Sequence, residues 1–143
     1  MPARDHRPLA HGRLRRRLLG GLCAWPWVAR ADARGRELAD AAAAMKARAL
    51  AWGDQPYGAV LVLDGRIVGE GPSRVVIDRD PDAHAERVAI RDAQRRLGRA
   101  SLAGSVLVST SIPCAACQRA AAAAGVVRLR VGPDADDAGA PRP

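Results

Sequence analysis

The stretch "PDAHAERVAI" (Pro81 to Ile90) sets a histidine, one spacer and a glutamate where a helical pattern begins, and "SIPCAACQ" (Ser111 to Gln118) later supplies a Cys-x-x-Cys behind a proline. Of three histidines, His6 and His11 fall in an Arg-rich leader, so His84 is the only one behind it. Cys-x-x-Cys at a helix start has two common meanings, a redox pair of the thioredoxin type or half a zinc site. The positive end of a helix stabilises thiolate in either case. His84 decides between them. With Cys114 and Cys117 it makes three borderline-soft ligands, which leave one tetrahedral position open, as catalytic zinc requires and structural zinc avoids. A redox pair leaves the His-x-Glu unexplained. Zinc lowers the pKa of bound water to about 7, and Glu86, two residues past a ligand on the same helix, is placed to carry that water's proton. The bland alternative for Glu86 is a helix-start carboxylate favoured by the dipole.

Working outward, "RELADAAAAMKARALAW" (Arg36 to Trp52) is built from helix formers and "GDQP" ends it. "YGAVLVLDGRIVGEG" (Tyr57 to Gly71) reads as two strands joined at Asp64-Gly65, a preferred hairpin turn. A polar loop leads to a helix from about His84 to Leu97, with Val88, Ala89 and Ile90 toward the core. "SVLVST" (Ser105 to Thr110) is a buried strand, "CAACQRAAAAA" a helix closed by Gly125, and "VVRLRVG" a further strand. The tail "PDADDAGAPRP" reads as loose turns. The order α-β-β-α-β-α-β implies an α/β fold with a mixed sheet flanked by helices.

His84-Ala85-Glu86 with Pro113-Cys114-Ala115-Ala116-Cys117 fits the H-x-E…P-C-x-x-C signature of zinc deaminases. With the hairpin before them, these motifs resemble the cytidine/deoxycytidylate deaminase superfamily, in the branch of guanine deaminases, tRNA adenosine deaminases and nucleoside deaminases. The resemblance covers about residues 36–139. It implies a three-layer α/β/α sandwich, Zn2+ on His84, Cys114 and Cys117, proton shuttling by Glu86, and Pro113 and the Ala85 backbone flanking the attacked carbon. The implied reaction is hydrolytic removal of an exocyclic amine from a base or nucleoside, with a homodimer as the expected assembly. The sequence departs from the family twice. Ser73 stands where that branch carries an Asn that hydrogen-bonds the base, and a hydroxyl cannot read a base edge as an amide does. The chain also looks C-terminally short, which leaves the pocket open or covered by a partner subunit. An inactive zinc-binding module and an RNA adenosine deaminase are the competing readings.

At 143 residues the chain is one domain at most. It has no Phe, so the core must pack from small aliphatic groups. The net charge of +8 is misleading until located: residues 1–31 hold seven arginines against Asp5, and the rest holds 16 basic and 14 acidic residues. The domain behind the leader therefore lacks the charge excess expected of a nucleic-acid binder. A small, neutral heterocycle is the expected substrate, with Tyr57 at the hairpin entrance placed to stack on it. Segment 11–35 has a basic start, an apolar run from Leu18 to Val28 and the small-x-small site Ala29-Arg30-Ala31, which match a secretory signal. Arg15-Arg16-Arg17-Leu18-Leu19 resembles the twin-arginine address. The expected layout is a cleaved signal at 1–31 and a deaminase domain at 32–143, exported to the periplasm without a lasting membrane anchor. A basic extension on a cytoplasmic protein is the alternative.

Overall fold

The computed structural model describes residues 26–143, with side chains from residue 33 onward. Its elements are α1 (Pro26–Ala51), β1 (Gly58–Leu63), β2 (Arg66–Pro72), α2 (Ala85–Leu97), β3 (Val106–Ser109), α3 (Ala115–Ala124), β4 (Arg128–Val131) and β5 (Asp136–Gly139). The strands form one mixed sheet in the order β2-β1-β3-β4-β5, in which only β3 and β4 run parallel. The hairpin turn is where the sequence places it, with Asp64 and Gly65 both at positive φ (49° and 72°), as a tight twisted hairpin requires.

Period-two alternation divides the central strands between two cores. Ala59 and Leu61 of β1, Leu107 of β3 and Leu129 of β4 meet α2 and α3. Val60, Val62 and Val108 meet α1 from the opposite face. Helix α1 answers with Gly35, Ala39, Ala42, Met45 and Ala49, a buried stripe at helical spacing. The result is the expected three-layer α/β/α sandwich.

Small residues bring the layers unusually close. On β2, Gly69 and Gly71 point the same way, at the stripe Ala85, Ala89 and Ala93 of α2. A Cβ at Gly71 would collide with the Ala85 carbonyl oxygen and the Ala89 amide nitrogen, and one at Gly69 with the Ala89 carbonyl. Gly58 does the same for α1, where a Cβ would strike the Ala42 carbonyl and the Lys46 amide. This contact offsets the lack of large core side chains, because many weak dispersion contacts replace a few large buried groups. It also fixes where α2 starts, and therefore where His84 and Glu86 lie.

Three expectations need correction. The tail after β4 is not loose: Asp136–Gly139 adds β5 antiparallel to β4, pairing Leu129 with Gly139 and Val131 with Asp136. Ala135, buried among the α1-side core residues, anchors the turn before it. The short Asp-rich segment has little β-propensity of its own, so the pairing is tertiary. Helix α1 begins ten residues before Arg36, at Pro26, and passes through Ala29-Arg30-Ala31. Val88 is only half-buried, beside a surface groove. The leader expectation otherwise falls on residues 1–25, outside the described ones.

Because α2 rests directly on the β2 backbone, Gly71→Ala should destabilise the zinc-loaded protein by about 1–3 kcal/mol, the usual cost of overpacking. Chemical denaturation checks this, and an unchanged midpoint would mean that the two elements do not touch as described.

Candidate metal centre and active cleft

Two helix starts converge at one end of the sheet. His84 is the N-cap residue of α2 and Cys114 the N-cap residue of α3. Both hold extended backbone angles (φ −61°, ψ 150° and φ −64°, ψ 166°), so each chain turns into its helix directly after a ligand. Cys117 follows within the first turn of α3. The Nδ1 of His84 lies 3.7 Å from Cys114 Sγ and 3.5 Å from Cys117 Sγ. The three ligand atoms fall within 4.8 Å of one another. Thiolate charge here is favoured by the positive end of α3, and the Cys117 amide donates to Cys114 Sγ at 3.4 Å.

The donor set, with the His84 ring between the two sulfurs, fits zinc. Cys117 is fully buried. Burial first, then the Glu86 carboxylate and Cys114, push its thiol well above the ordinary value. A cation among the three ligands draws such a coordinating thiol into its thiolate form. Two sulfurs and one imidazole nitrogen are the ligand types zinc takes, and three of them leave a position free.

Beside the ligands opens a cleft of about 590 Å³. Glu86, His84, Ala85 and Cys114 line one side of it, and Gln55, Pro56 and Tyr57 another. Glu86 is buried, and the Ser109 hydroxyl donates to its Oε1 at 2.7 Å. That bond fixes one carboxylate oxygen. Ser109 is a residue that motif reading missed. Its signal was a polar residue on the core side of the buried run "SVLVST", in line with Leu107. Tyr57 lines the cleft and is 42% exposed, so it is available to a ligand rather than packed in the core. Ile112, at 76% exposed, forms another part of the wall.

Two proposed contact residues are elsewhere. Ser73 is fully buried, donates its hydroxyl to Asp54 Oδ1 at 2.8 Å, and is not among the residues lining the cleft. Pro113 is buried behind Cys114, its carbonyl accepting from Gln118 Nε2 at 3.1 Å, and likewise does not line the cleft.

A second groove of about 520 Å³ gathers Arg48, Arg74, Arg91, Arg95 and Arg96 around Trp52. The guanidinium carbons of Arg48 and Arg74 lie 5.2 and 5.3 Å from the Trp52 ring centroid. The near balance of charge behind residue 31 concealed this clustering. Yet each of the five guanidiniums already pairs with a carboxylate from Glu70, Asp78, Asp80 or Asp92. The groove is an ion-pair network with its charge largely answered, and the chemistry belongs to the other cleft.

Residues 34–132 match the cytidine and deoxycytidylate deaminase zinc-binding region. The chain belongs to that family. It is 41% identical over 97 residues to a tRNA-specific adenosine deaminase of Haemophilus influenzae, covering 67% of this chain and 52% of the relative. It is 45% identical over 62 residues to a guanine deaminase of Bacillus subtilis, covering 43% and 40%. A solved structure from a study of A-to-I editing by tRNA:A34 deaminases superposes with TM-score 0.65 at 36% identity, covering 67% of this chain and 70% of that one. The matches span about half the length of the curated relatives. The family is one of zinc-binding deaminases, and His84, Cys114 and Cys117 are the residues of this chain that would hold the zinc.

One zinc per chain is expected in the purified protein, and elemental analysis should find it strongly depleted in Cys117→Ser and His84→Ala. Chelation should lower the melting temperature, because metal-binding free energy is partly folding free energy. Full zinc content in Cys117→Ser would overturn the ligand assignment.

Proposed function

We propose that the protein hydrolytically deaminates a free nucleobase, nucleoside or related aminated heterocycle. The observation that carries this is the placement of Glu86, anchored by Ser109, in the cleft wall directly beside the His84, Cys114 and Cys117 cluster. When bound, zinc supplies the Lewis acidity that brings water within reach of deprotonation at neutral pH. Glu86 accepts that proton on its carboxylate as the water oxygen bonds to the ring carbon bearing the amine. It then returns the proton to the amine nitrogen, the C–N bond breaks, and ammonia leaves. Water and the amine are consumed, the oxo product and ammonia are formed, and Glu86 ends as it began. Tyr57 offers a ring to stack on the base. Among the described residues no Lys or Arg lines the cleft, which favours a neutral base or nucleoside over its phosphate.

A second reading, an adenosine within tRNA, is favoured by the Haemophilus influenzae relative. Against it, the described arginines of the large groove are already paired, and phosphate binding depends on free basic groups. A homodimer and export remain proposals from sequence alone. Cleavage after Ala31 would leave the described buried residues of α1, Gly35 to Ala49, in place and give Asp32 as the mature N-terminus.

Glu86→Gln is nearly isosteric but cannot carry the proton. It should hold zinc normally and lose at least about 100-fold in turnover, in line with general acid–base contributions of about 10²–10⁴. Unchanged turnover would remove Glu86 from the mechanism. Ammonia release should be faster with guanine, guanosine, adenosine or cytidine than with the matching monophosphates. Preference for a monophosphate, or inosine formed in tRNA, would favour the second reading over the first.

A further inference from the structure

The carboxylate of Asp54 is buried and accepts four hydrogen bonds. Oδ1 takes the Gln55 amide at 2.7 Å and the Ser73 hydroxyl at 2.8 Å. Oδ2 takes the amides of Val76 and Ile77 at 2.8 and 2.9 Å. Burial pushes this carboxyl up, but the amides of Ile77 and Gln55, the Ser73 hydroxyl and the Val76 amide together outweigh it and hold it below its ordinary value. It is therefore an ionised, fully satisfied buried acceptor, a group whose removal strands its donors.

Its position gives that bonding a use. Asp54 directly precedes Gln55, Pro56 and Tyr57, which form one wall of the cleft. Three of the four groups it captures lie on the connection from β2 to α2, whose last residue is His84. Two further bonds extend the path in both directions. The Ser73 amide donates to the Tyr57 carbonyl at 3.1 Å, and the Arg74 amide donates to the Ala83 carbonyl at 3.0 Å. One side of the cleft is thus joined to the segment carrying the other through the Asp54 carboxylate and, beside it, the Ser73–Tyr57 backbone bond.

We propose that Asp54 is a positioning residue for substrate: it locks the Gln55–Tyr57 wall to the β2–α2 connection and so sets the width of the cleft for a planar ring. This rests on the deaminase reading. It also gives Ser73 a role. A serine there donates to Asp54 rather than reading the base, so its hydroxyl contributes to substrate binding only through the wall. The proton carrier and the two cysteines are held independently, by the packing of α2 on Gly71 and by the start of α3, and His84 is the N-cap of that packed helix. Loss of the Asp54 carboxylate should therefore weaken binding far more than the chemical step.

Asp54→Asn would turn an amide donor toward the Val76 and Ile77 amides or toward the donors on the other oxygen. In the zinc-loaded full chain it should raise KM at least tenfold for whichever of guanine or adenosine the wild type turns over. The kcat should stay within about threefold and zinc at one per chain. Ser73→Ala removes one donor of four and should raise KM about threefold, which keeps the test alive if Asp54→Asn does not fold. KM within twofold of wild type in both variants, or kcat falling with KM unchanged, would overturn the proposal. Residue-resolved hydrogen exchange supplies a readout that needs no turnover. The Tyr57 amide, bonded to the Gln55 carbonyl at 2.8 Å, should lose protection together with Val76 and Ile77. Loss confined to Val76 and Ile77 would show that Asp54 shapes only the β2–α2 connection and would overturn its role in the Gln55–Tyr57 wall. If the wild type deaminates neither compound, the same comparison is made with guanosine or cytidine; failure to turn over any of the four ends the deaminase reading, while the exchange result still decides the role of Asp54.

Discussion

The closeness of α2 to β2 is the constraint on which the rest depends. A helix whose inner stripe is Ala85, Ala89 and Ala93 lies on a strand whose inner positions are Gly69 and Gly71, with no Cβ to hold them apart. Backbone meets backbone, so the helix has little freedom to slide or rotate, and close-packed interiors resist small shifts. That rigidity is delivered to the first turn of α2. His84 is placed by the turn into the helix and Glu86 by the helix itself, and the Ser109 hydroxyl at the end of β3 then fixes one oxygen of Glu86.

The same economy recurs across the molecule. With no Phe in the chain, neither face of the sheet can be filled by large rings, and both cores are built largely from Ala, Val and Leu at short range. Such cores stabilise through the number of contacts rather than the size of any one. A metal that ties the starts of two helices together adds stability where the packing ends. The geometry of the metal cluster and the stability of the fold are therefore coupled at one point, the meeting of α2 and α3 beyond the strands.

Most of the fold was legible in the sequence because its signals are local. The Asp64-Gly65 turn, the helix closed by Gly125 and the alternating strands each announce themselves within a few residues. The metal cluster was legible because His84, Cys114 and Cys117 are scarce residue types in a fixed pattern. What escaped reading depends on tertiary contact. β5 has no β-branched residue and is strand only because β4 offers an edge. Ser73 occupies the position of the family's base-reading Asn, but nothing local says that Asp54 holds its hydroxyl. Ser109 and Asp54 are ordinary residues until the fold brings Glu86 and residues 73–77 to them. The arginines around Trp52 were invisible to a net charge that averages them with the carboxylates they pair with.

The central claim is that His84, Cys114 and Cys117 hold a single zinc with one position left for water beside Glu86. X-ray absorption at the zinc edge, on the full chain purified with its metal, tests it most directly. The account predicts two sulfur scatterers and two lighter ones per zinc, one of the lighter pair carrying the outer-shell signature of imidazole and the other exchangeable. A sulfur-only shell, or a shell of lighter atoms without sulfur, would contradict it.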